Sequence, residues 1–277
     1  MLVRLTLVLA SMFMLASCSS FMSQNVQQAT QSSSLVNYLY PNPEDRAQHS
    51  AEIPVLALPV NVGLAFVPSD NWSGSGLHNQ QKMALLDKVK ASFSQHKYIN
   101  RIEVIPDTYL KGGEGFSTLE QVARLYDVDV MALVSYDQVS KTYENKAAFL
   151  YLTIVGMYLI EGNENTVQTF VDTAVFDVKS RKMLFRAPGL SKLEESTTAI
   201  NIAQTLSQKS QQGFESAFSD MITNLDAELG QFEKRVKEEK VAKVVSRNGS
   251  GSSISVSLLL IFGLLLVLRK PIKSGSR

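Results

Sequence analysis

Few residues of this 277-residue sequence have the types and spacing that chemistry requires. Its single cysteine, Cys18, excludes an intramolecular disulfide and any CxxC metal or redox site. The three histidines, His49, His78 and His96, show no paired spacing, so no zinc site is predicted. No GxSxG nucleophile motif is present. We therefore predict no catalytic residue, no metal ligand and no cofactor.

Two polar groups have both a functional and a structural interpretation. Gly112, Gly113 and Gly115 precede a predicted helix, a position where phosphate can bind. The lysine of a P-loop is absent, so a simple turn is favoured. Asp127 and Asp129 flank the start of a predicted strand, which is typical of a turn that leaves a helix.

Arg181, Lys182 and Arg186 surround a predicted hairpin, where they form either a patch for an anionic partner or a solvated strand edge. The strand edge is the favoured interpretation. The apolar segment 147–160 is too short to span a bilayer as a helix, but long enough for a membrane-entering β-segment. A buried central strand is favoured for this segment.

The position of Cys18 suggests a specific chemistry for its thiol. Residues 1–17 form a lipoprotein signal peptide, with a basic start before an apolar run. The sequence Leu15-Ala16-Ser17-Cys18 resembles the lipobox of bacterial lipoproteins. The resemblance implies cleavage between Ser17 and Cys18 by lipoprotein signal peptidase, lipidation of Cys18 by acyltransferases, and anchoring in membrane lipid. Ser19 in place of aspartate implies sorting to the outer membrane; an ordinary signal peptide with a chance cysteine is the alternative.

The C-terminus carries a second addressing pattern. Residues 241–253 form a predicted Gly/Ser linker, 254–268 a transmembrane helix and 269–277 a basic tail expected in the cytoplasm. This layout resembles the GlyGly-CTERM sorting tails that rhombosortases, intramembrane proteases of the rhomboid type, cleave. The resemblance places the cleavage region at Gly249, Ser250, Gly251, Ser252 and Ser253. A tail anchor that is never cleaved is the alternative.

The two addresses can be satisfied only one after the other. A lipid anchor bound for the outer membrane conflicts with a helix held in the inner membrane by cytoplasmic cations. We therefore expect the protein in the inner membrane before cleavage, and in the outer membrane or at the cell surface afterwards. The 27 Lys and Arg lose Arg4 and four tail cations on processing, leaving 22 against 26 Asp and Glu. A nucleic-acid partner is therefore not expected.

Between the addresses, the sequence predicts a flexible tether over 18–50 and one periplasmic domain over 51–240. A short apolar stretch inside the tether, Leu35 to Pro41, docks on the domain or binds a partner, and docking is favoured. The order β-α-β-α-β-β-β-α predicts an α/β fold, an α+β sandwich with a mixed sheet of about five strands and helices packed on it.

Individual elements follow from their patterns. The segment 52–68 is predicted as one strand buried on both faces, and 80–96 as an amphipathic helix. A capping box at Ser117 opens the next helix. The segment 198–240 forms a long helix whose charged last turns project toward the linker.

Taken whole, the chain resembles the rhombotarget lipoproteins. The segments that carry the resemblance are the lipobox, the sorting tail, Ser34–Pro41, Thr153–Gly156 and Ser180–Gly189. The domain alone resembles, in element order, a periplasmic domain shared by the curli secretion lipoprotein, the Tol-system β-propeller protein and lipoprotein activators of penicillin-binding proteins. These resemblances imply a processing route for the chain and name no task for the domain.

The favoured function is therefore an envelope lipoprotein with a non-enzymatic periplasmic or surface interaction domain. One alternative is a secretion or pore-forming component whose segment 147–160 enters the bilayer. The other is a hydrolase whose catalytic residues the sequence does not reveal.

Overall fold

The computed structural model describes residues 27–42, 52–69, 77–113, 115–144, 158 and 160–247. These residues form four α-helices and eight strands. In chain order the elements are β1 (Gln27–Ser32), α1 (Leu35–Leu39), β2 (Val55–Leu58), β3 (Val60–Phe66), α2 (Asn79–Phe93), β4 (Ile99–Val104), α3 (Gly115–Tyr126), β5 (Val130–Glu144), β6 (Asn163–Asp177), β7 (Lys182–Thr197), α4 (Ile202–Glu238) and β8 (Lys243–Ser246). The predicted class, helices packed on a mixed sheet, is confirmed.

The main sheet has six strands instead of the five predicted. Its order is β4-β3-β5-β6-β7, and β1 pairs with β5 beside β3. Strand β3 is parallel to both β4 and β5, whereas β5, β6 and β7 are antiparallel to one another. The length of β5 explains the sixth strand, because residues 130–134 pair with β3 and residues 137–142 pair with β1.

Helices cover both faces of the sheet. Helices α2 and α4 pack on one face, and α1 and α3 on the other. Side chains of β3 alternate between the two cores, with Leu64 and Phe66 in the first and Ala65 and Val67 in the second. The predicted burial of this segment on both faces is therefore confirmed for β3.

Part of the predicted tether belongs to the domain. The range 18–50 was expected to be flexible, but its residues 27–32 form β1 on the edge of β5. The expected docking of Leu35 to Pro41 is confirmed, since Tyr38 and Leu39 are buried in the second core and Tyr40 lies edge-on to Phe116. Strand β1 was not predicted because its pairing with β5 depends on residues far along the chain, whereas its own sequence is polar and shows no strand pattern.

The segment predicted as one strand over 52–68 is two strands. Strand β2 ends before Pro59, and β3 begins after it. Strand β2 leaves the main sheet and pairs in parallel with β8, forming a two-stranded ribbon. The predicted linker 241–253 is therefore wrong for residues 243–246, which belong to the domain.

The start of α3 also differs from the prediction. The helix begins at Gly115, whose φ of 74° is open to glycine, so Ser117 lies in the first turn and is not the N-cap. A Cβ at Gly115 would lie 3.4 Å from the backbone oxygen of Leu39, whereas a Cβ at Gly112 would have no neighbour within 4 Å.

The predicted transmembrane helix 254–268 lies outside the described residues, as does the segment 147–160 except for Tyr158 and Ile160. Among the residues that the structure describes, no helix is long and apolar enough to cross a membrane.

Helix α4 approaches β7 most closely at Gly189. A Cβ atom at this position would lie 2.6 Å from the Met221 Cβ and would collide with the Ala217 carbonyl oxygen. We predict that Gly189→Ala lowers the free energy of unfolding by about 1–3 kcal/mol, because helix and strand must separate to accept the methyl group. Chemical denaturation of the full chain measures this change.

Gly230→Ala is the matched control for this prediction. Gly230 lies in the same helix, and a Cβ there would have no neighbour within 4 Å. This variant is expected to be as stable as the parent, or more stable by up to ~1 kcal/mol, from helix propensity alone. Equal stability of the two variants would show that Gly189 is not a tight contact.

Candidate functional site

An apolar cavity of about 510 Å³ lies between α4, α2 and the sheet. Its volume falls in the range of small-molecule pockets, roughly 300–1,000 Å³. Short side chains of three neighbouring strands form its floor: Val62, Val130, Ala132 and Val175. Because these side chains are small, α4 cannot close down on them, and space is left.

Helix α4 supplies one wall of the cavity with side chains spaced three or four residues apart. These are Leu225, Leu229, Phe232 and Val236. Nearer its N-terminus the same helix leaves no such space, since Phe214 and Phe218 are fully buried there and Phe218 lies 5.7 Å from Phe66. The size of the side chains along one continuous helix therefore decides where the core is filled and where it is open.

The β2–β8 ribbon forms a second wall. Leu56 and Leu58 from β2, with Ala242 and Val244 from the β8 segment, face the cavity. Val244 is 45% exposed, so this wall is thin and borders solvent. Only the short ribbon separates the apolar interior from water at this side.

Polar groups line the cavity at a few positions only: Tyr98, Glu233 and Lys237. Lys237 donates a hydrogen bond of 2.6 Å to Glu233 and lowers the pKa of that carboxyl, whose side chain is more than half exposed. Burial raises the pKa of Tyr98, and the negative charges of Glu233 and Asp226 raise it further. The Tyr98 hydroxyl is therefore protonated at neutral pH and available as a hydrogen-bond donor.

His96 connects Tyr98 to an acidic side chain. Its Nδ1 lies 2.8 Å from the Tyr98 hydroxyl, and its Nε2 lies 3.5 Å from the Asp226 carboxylate. With the proton on Nε2, Nδ1 accepts the hydrogen bond from Tyr98. This row of three groups holds the tyrosine in place at the cavity.

A second cleft, polar and of about 530 Å³, lies on the other side of the ribbon, against α3. Three of its four carboxylates are ion-paired: Asp127 with Arg101 at 3.0 Å, Glu120 with Arg181 at 2.7 Å, and Asp129 with Arg247. Asp129 also accepts from the Asn61 N–H at 2.8 Å. These pairs join the ribbon, α3 and the sheet, so the cleft is a structural junction.

A buried ion pair elsewhere is also structural. Lys82 of α2 lies 2.7 Å from Asp107, and both side chains are at most 10% exposed. Lys111 approaches the same carboxylate, and the Lys82 ammonium stands over the ring of Phe66. Both charges are thus compensated, as burial requires.

The sequence-predicted site residues have mixed outcomes. Cys18, His49 and the cleavage region 249–253 lie outside the described residues. His78 and His96 stand at opposite ends of α2. Among the described residues, no group of three or more His, Cys, Asp or Glu side chains is placed to hold a metal ion.

The predicted basic patch at the hairpin is not a free anion site. Arg181 is paired with Glu120 and stands over the ring of Phe116. Arg186 lies 3.1 Å from Asp172. The favoured interpretation, a solvated strand edge, describes Lys182 and Arg186 of β7 better than a patch for an anionic partner, and Arg181 lies in the turn before that strand.

Sequence reasoning missed the cavity. It assigned the end of α4 to a projecting charged segment and residues 241–253 to a linker, yet Phe232, Val236 and Ala242 line the cavity. The available signal was the run Val241 to Val245, whose three valines favour a strand.

Comparisons with known proteins give only distant similarity. No protein-family model matches the sequence, and no curated protein matches it. The PelC dodecamer from Paraburkholderia phytofirmans, in space group P6, is 11% identical, covers 72% of this chain and 97% of its own, and gives a TM-score of 0.26. Lipoprotein GNA1162 from Neisseria meningitidis is 11% identical, covers 58% of this chain and 97% of its own, with a TM-score of 0.23. With identities and TM-scores this low, the similarity carries no argument about function, which must be inferred from the residues of this chain.

The ion pair between Arg247 and Asp129 fastens the end of β8. We predict that Arg247→Ala speeds hydrogen exchange of the β8 amides severalfold, because a partly buried pair of this kind is worth on the order of 1 kcal/mol. Exchange in β6 is expected to stay unchanged. Hydrogen-exchange mass spectrometry on the full chain measures both.

Lys192→Ala is the control, since it removes an equally close ion pair with Glu194 whose side chains are both more than half exposed. It is expected to change no exchange rate in the ribbon. If Arg247→Ala leaves the amides of residues 243–247 unchanged as well, the pair does not hold the ribbon.

Proposed function

We propose that this chain is a non-enzymatic, lipid-anchored envelope protein whose domain binds a single acyl chain in the apolar cavity. The observation that carries the proposal is the cavity itself, whose floor and walls are aliphatic and aromatic. An acyl chain gains free energy on leaving water, about 0.8 kcal/mol per CH₂. A cavity with few polar groups offers it no competing interaction.

The polar groups at the cavity indicate an amphiphile, not a plain hydrocarbon. Lys237 lines the cavity, and its ammonium keeps N–H donors beyond the one that it gives to Glu233. A carboxylate or phosphate head group is an acceptor and suits this ammonium, while the Tyr98 hydroxyl is already bonded to His96. The ligand class is therefore a long-chain fatty acid or a lipid that inserts one chain.

Binding is better supported than hydrolysis. The row Asp226–His96–Tyr98 has the order of a nucleophile with its base, but a tyrosine attacks as a phenolate, which a raised pKa disfavours. The pKa of Tyr98 is raised by burial and by nearby carboxylates. The arrangement positions a donor and does not create a nucleophile.

The processing route completes the proposal. Cys18, after cleavage from Ser17 by lipoprotein signal peptidase, is acylated by the acyltransferases of the lipoprotein pathway. A rhombosortase-type protease cuts within 249–253, and the lipid-anchored product moves from the inner membrane to the outer membrane or cell surface. In support, the Gly/Ser-rich stretch 249–253 stands in the sequence between the last strand, which ends at Ser246, and the apolar run 254–268.

The binding proposal is tested with a photoreactive fatty acid. Hexadecanoic acid carrying a diazirine at its ω end is delivered from cyclodextrin to the full chain in lipid vesicles, irradiated, and the adducts are located by peptide mass spectrometry. We expect adducts on the cavity-facing residues of α4 and β5. Ala132→Leu and Ala242→Leu, which fill the cavity from opposite walls, should each reduce the yield by roughly tenfold, since every displaced CH₂ costs about 0.8 kcal/mol.

Ala227→Leu is the matched control, because the same side-chain change falls on the exposed face of α4. It should leave the adduct yield unchanged. Adducts spread over the surface, or equal yields in all three variants, would refute acyl-chain binding in the cavity. Thermal unfolding of each variant establishes that the cavity variants are folded.

The processing route is tested by intact-mass analysis of the protein purified from cells with and without the sorting protease. We expect a mature chain that begins at acylated Cys18 and ends within 249–253, and an unshortened C-terminus without the protease. Cys18→Ser should abolish both acylation and removal of 1–17. A chain that still begins at Met1, or retains Arg277 in its final membrane, would contradict the route.

A further inference from the structure

One end of the domain carries exposed aliphatic side chains beside lysines. We name it the ribbon-end surface, and its members are Ile53, Val55, Lys240, Val241, Lys243, Val244 and Val245. Ile53 is 59% exposed and Val55 is 48% exposed. The partner of Val55 across the ribbon is Lys243, so aliphatic and cationic side chains stand next to each other. These side chains lie on both sides of the ribbon, Val55 towards the polar cleft and Val244 towards the cavity, so the ribbon end is apolar on both of its faces.

The charge of this end is opposite to that of the processed chain. Residues 234–247 contain six Lys and Arg but only two acidic residues, Glu238 and Glu239. Some of these cations are already used, since Arg247 pairs with Asp129 and Lys237 with Glu233. Lys240 and Lys243 are exposed, and within the described part of the chain neither forms an ion pair.

The chain leaves the domain at this same end. Arg247 is followed by only six residues, 248–253, before the apolar segment 254–268. Six residues span at most about 20 Å when fully extended. If the segment lies in the bilayer, as proposed above, the ribbon-end surface is held within that distance of the lipid head groups.

We propose that the ribbon-end surface rests on a bilayer that contains anionic lipids, before the tail is cut. The inference rests on the proposed membrane insertion of the tail. The exposed aliphatic side chains enter the interfacial region, and Lys240 and Lys243 lie among the anionic head groups. Val244 both belongs to this surface and lines the cavity, so the surface borders the cavity.

A bilayer suits this surface better than a second copy of the chain. An exposed strand such as β8 invites pairing with another strand, but lysines on edge strands oppose such pairing. The aliphatic stem of a lysine can also lie along apolar surface while its ammonium group reaches the lipid head groups. A membrane interface uses both parts of the side chain. The positive charge, the exposed aliphatic side chains and the position at which the chain continues beyond Arg247 all favour a bilayer as the partner.

The test uses the full chain with Cys18→Ser, reconstituted in vesicles, and an environment-sensitive dye on a single introduced cysteine. Ile53→Cys places the dye on the ribbon-end surface outside the cavity. Leu190→Cys, at a similarly exposed leucine of β7, is the control. In vesicles of phosphatidylglycerol and phosphatidylcholine, we expect blue-shifted emission and quenching by brominated lipid for the dye at position 53 and not at position 190.

Charge reversal identifies the role of the lysines. Lys240→Glu with Lys243→Glu should remove the signal at position 53, as should high salt or pure phosphatidylcholine, with a loss of contact of roughly tenfold or more. Lys88→Glu with Lys192→Glu changes the same charge elsewhere and should leave the signal intact. A signal that is equal at both dye positions, or insensitive to anionic lipid, would overturn the proposal.

Two results separate this proposal from those it rests on. If the signal at position 53 rises with the protein-to-lipid ratio and energy transfer appears between copies, self-association replaces membrane contact. The Lys240→Glu/Lys243→Glu protein should still bind the photoreactive fatty acid delivered from cyclodextrin. Loss of cavity adducts together with intact membrane contact would refute acyl binding and leave the membrane surface standing, whereas the reverse pattern would refute the surface alone.

Discussion

The close contact between helix α4 and strand β7 at Gly189 sets the position of everything packed on that face of the sheet. Without a side chain at this point, the Ala217 backbone comes directly against the strand. A second close approach, of Gly213 to Thr169 of β6, holds the N-terminal half of the helix to the sheet as well. On the N-terminal side of the Gly189 contact, Phe214 and Phe66 fill the core. On the C-terminal side, the floor of valine and alanine is too low to meet the helix, and the cavity results.

The β2–β8 ribbon completes this arrangement because it joins two distant parts of the chain. Neither of its two strands belongs to the main sheet, yet their side chains form a wall of the apolar cavity and border the polar cleft. The ion pair of Arg247 with Asp129 connects the ribbon to the start of β5. A wall of two short strands is easier to displace than one built into the main sheet. The cavity therefore has one weak side, and it is the side from which the chain leaves.

The chain enters and leaves the domain at opposite ends of β5. Strand β1 begins opposite Thr142, whereas Arg247 lies against Asp129. At about 3.4 Å per residue, β5 separates these positions by roughly 45 Å. An anchor at Cys18 and a membrane segment after 253 would therefore pull on opposite ends of the domain. Under the proposed processing route, cutting the tail would release the ribbon end from the bilayer.

Local patterns in the sequence were enough to determine the α/β class, helices α2 and α4, and the two-sided burial of β3, because each depends on the side-chain period of one segment. The docking of Tyr38 and Leu39 followed from apolar content in a polar stretch. Strands β1 and β8 escaped prediction because each is stabilised by a partner far along the chain, as Leu56 is by Val244. The cavity could not be predicted at all. Ala132, Leu229 and Ala242 each have an ordinary core pattern. Only the tertiary structure decides that side chains of these sizes, brought together from distant parts of the chain, do not fill the space between them.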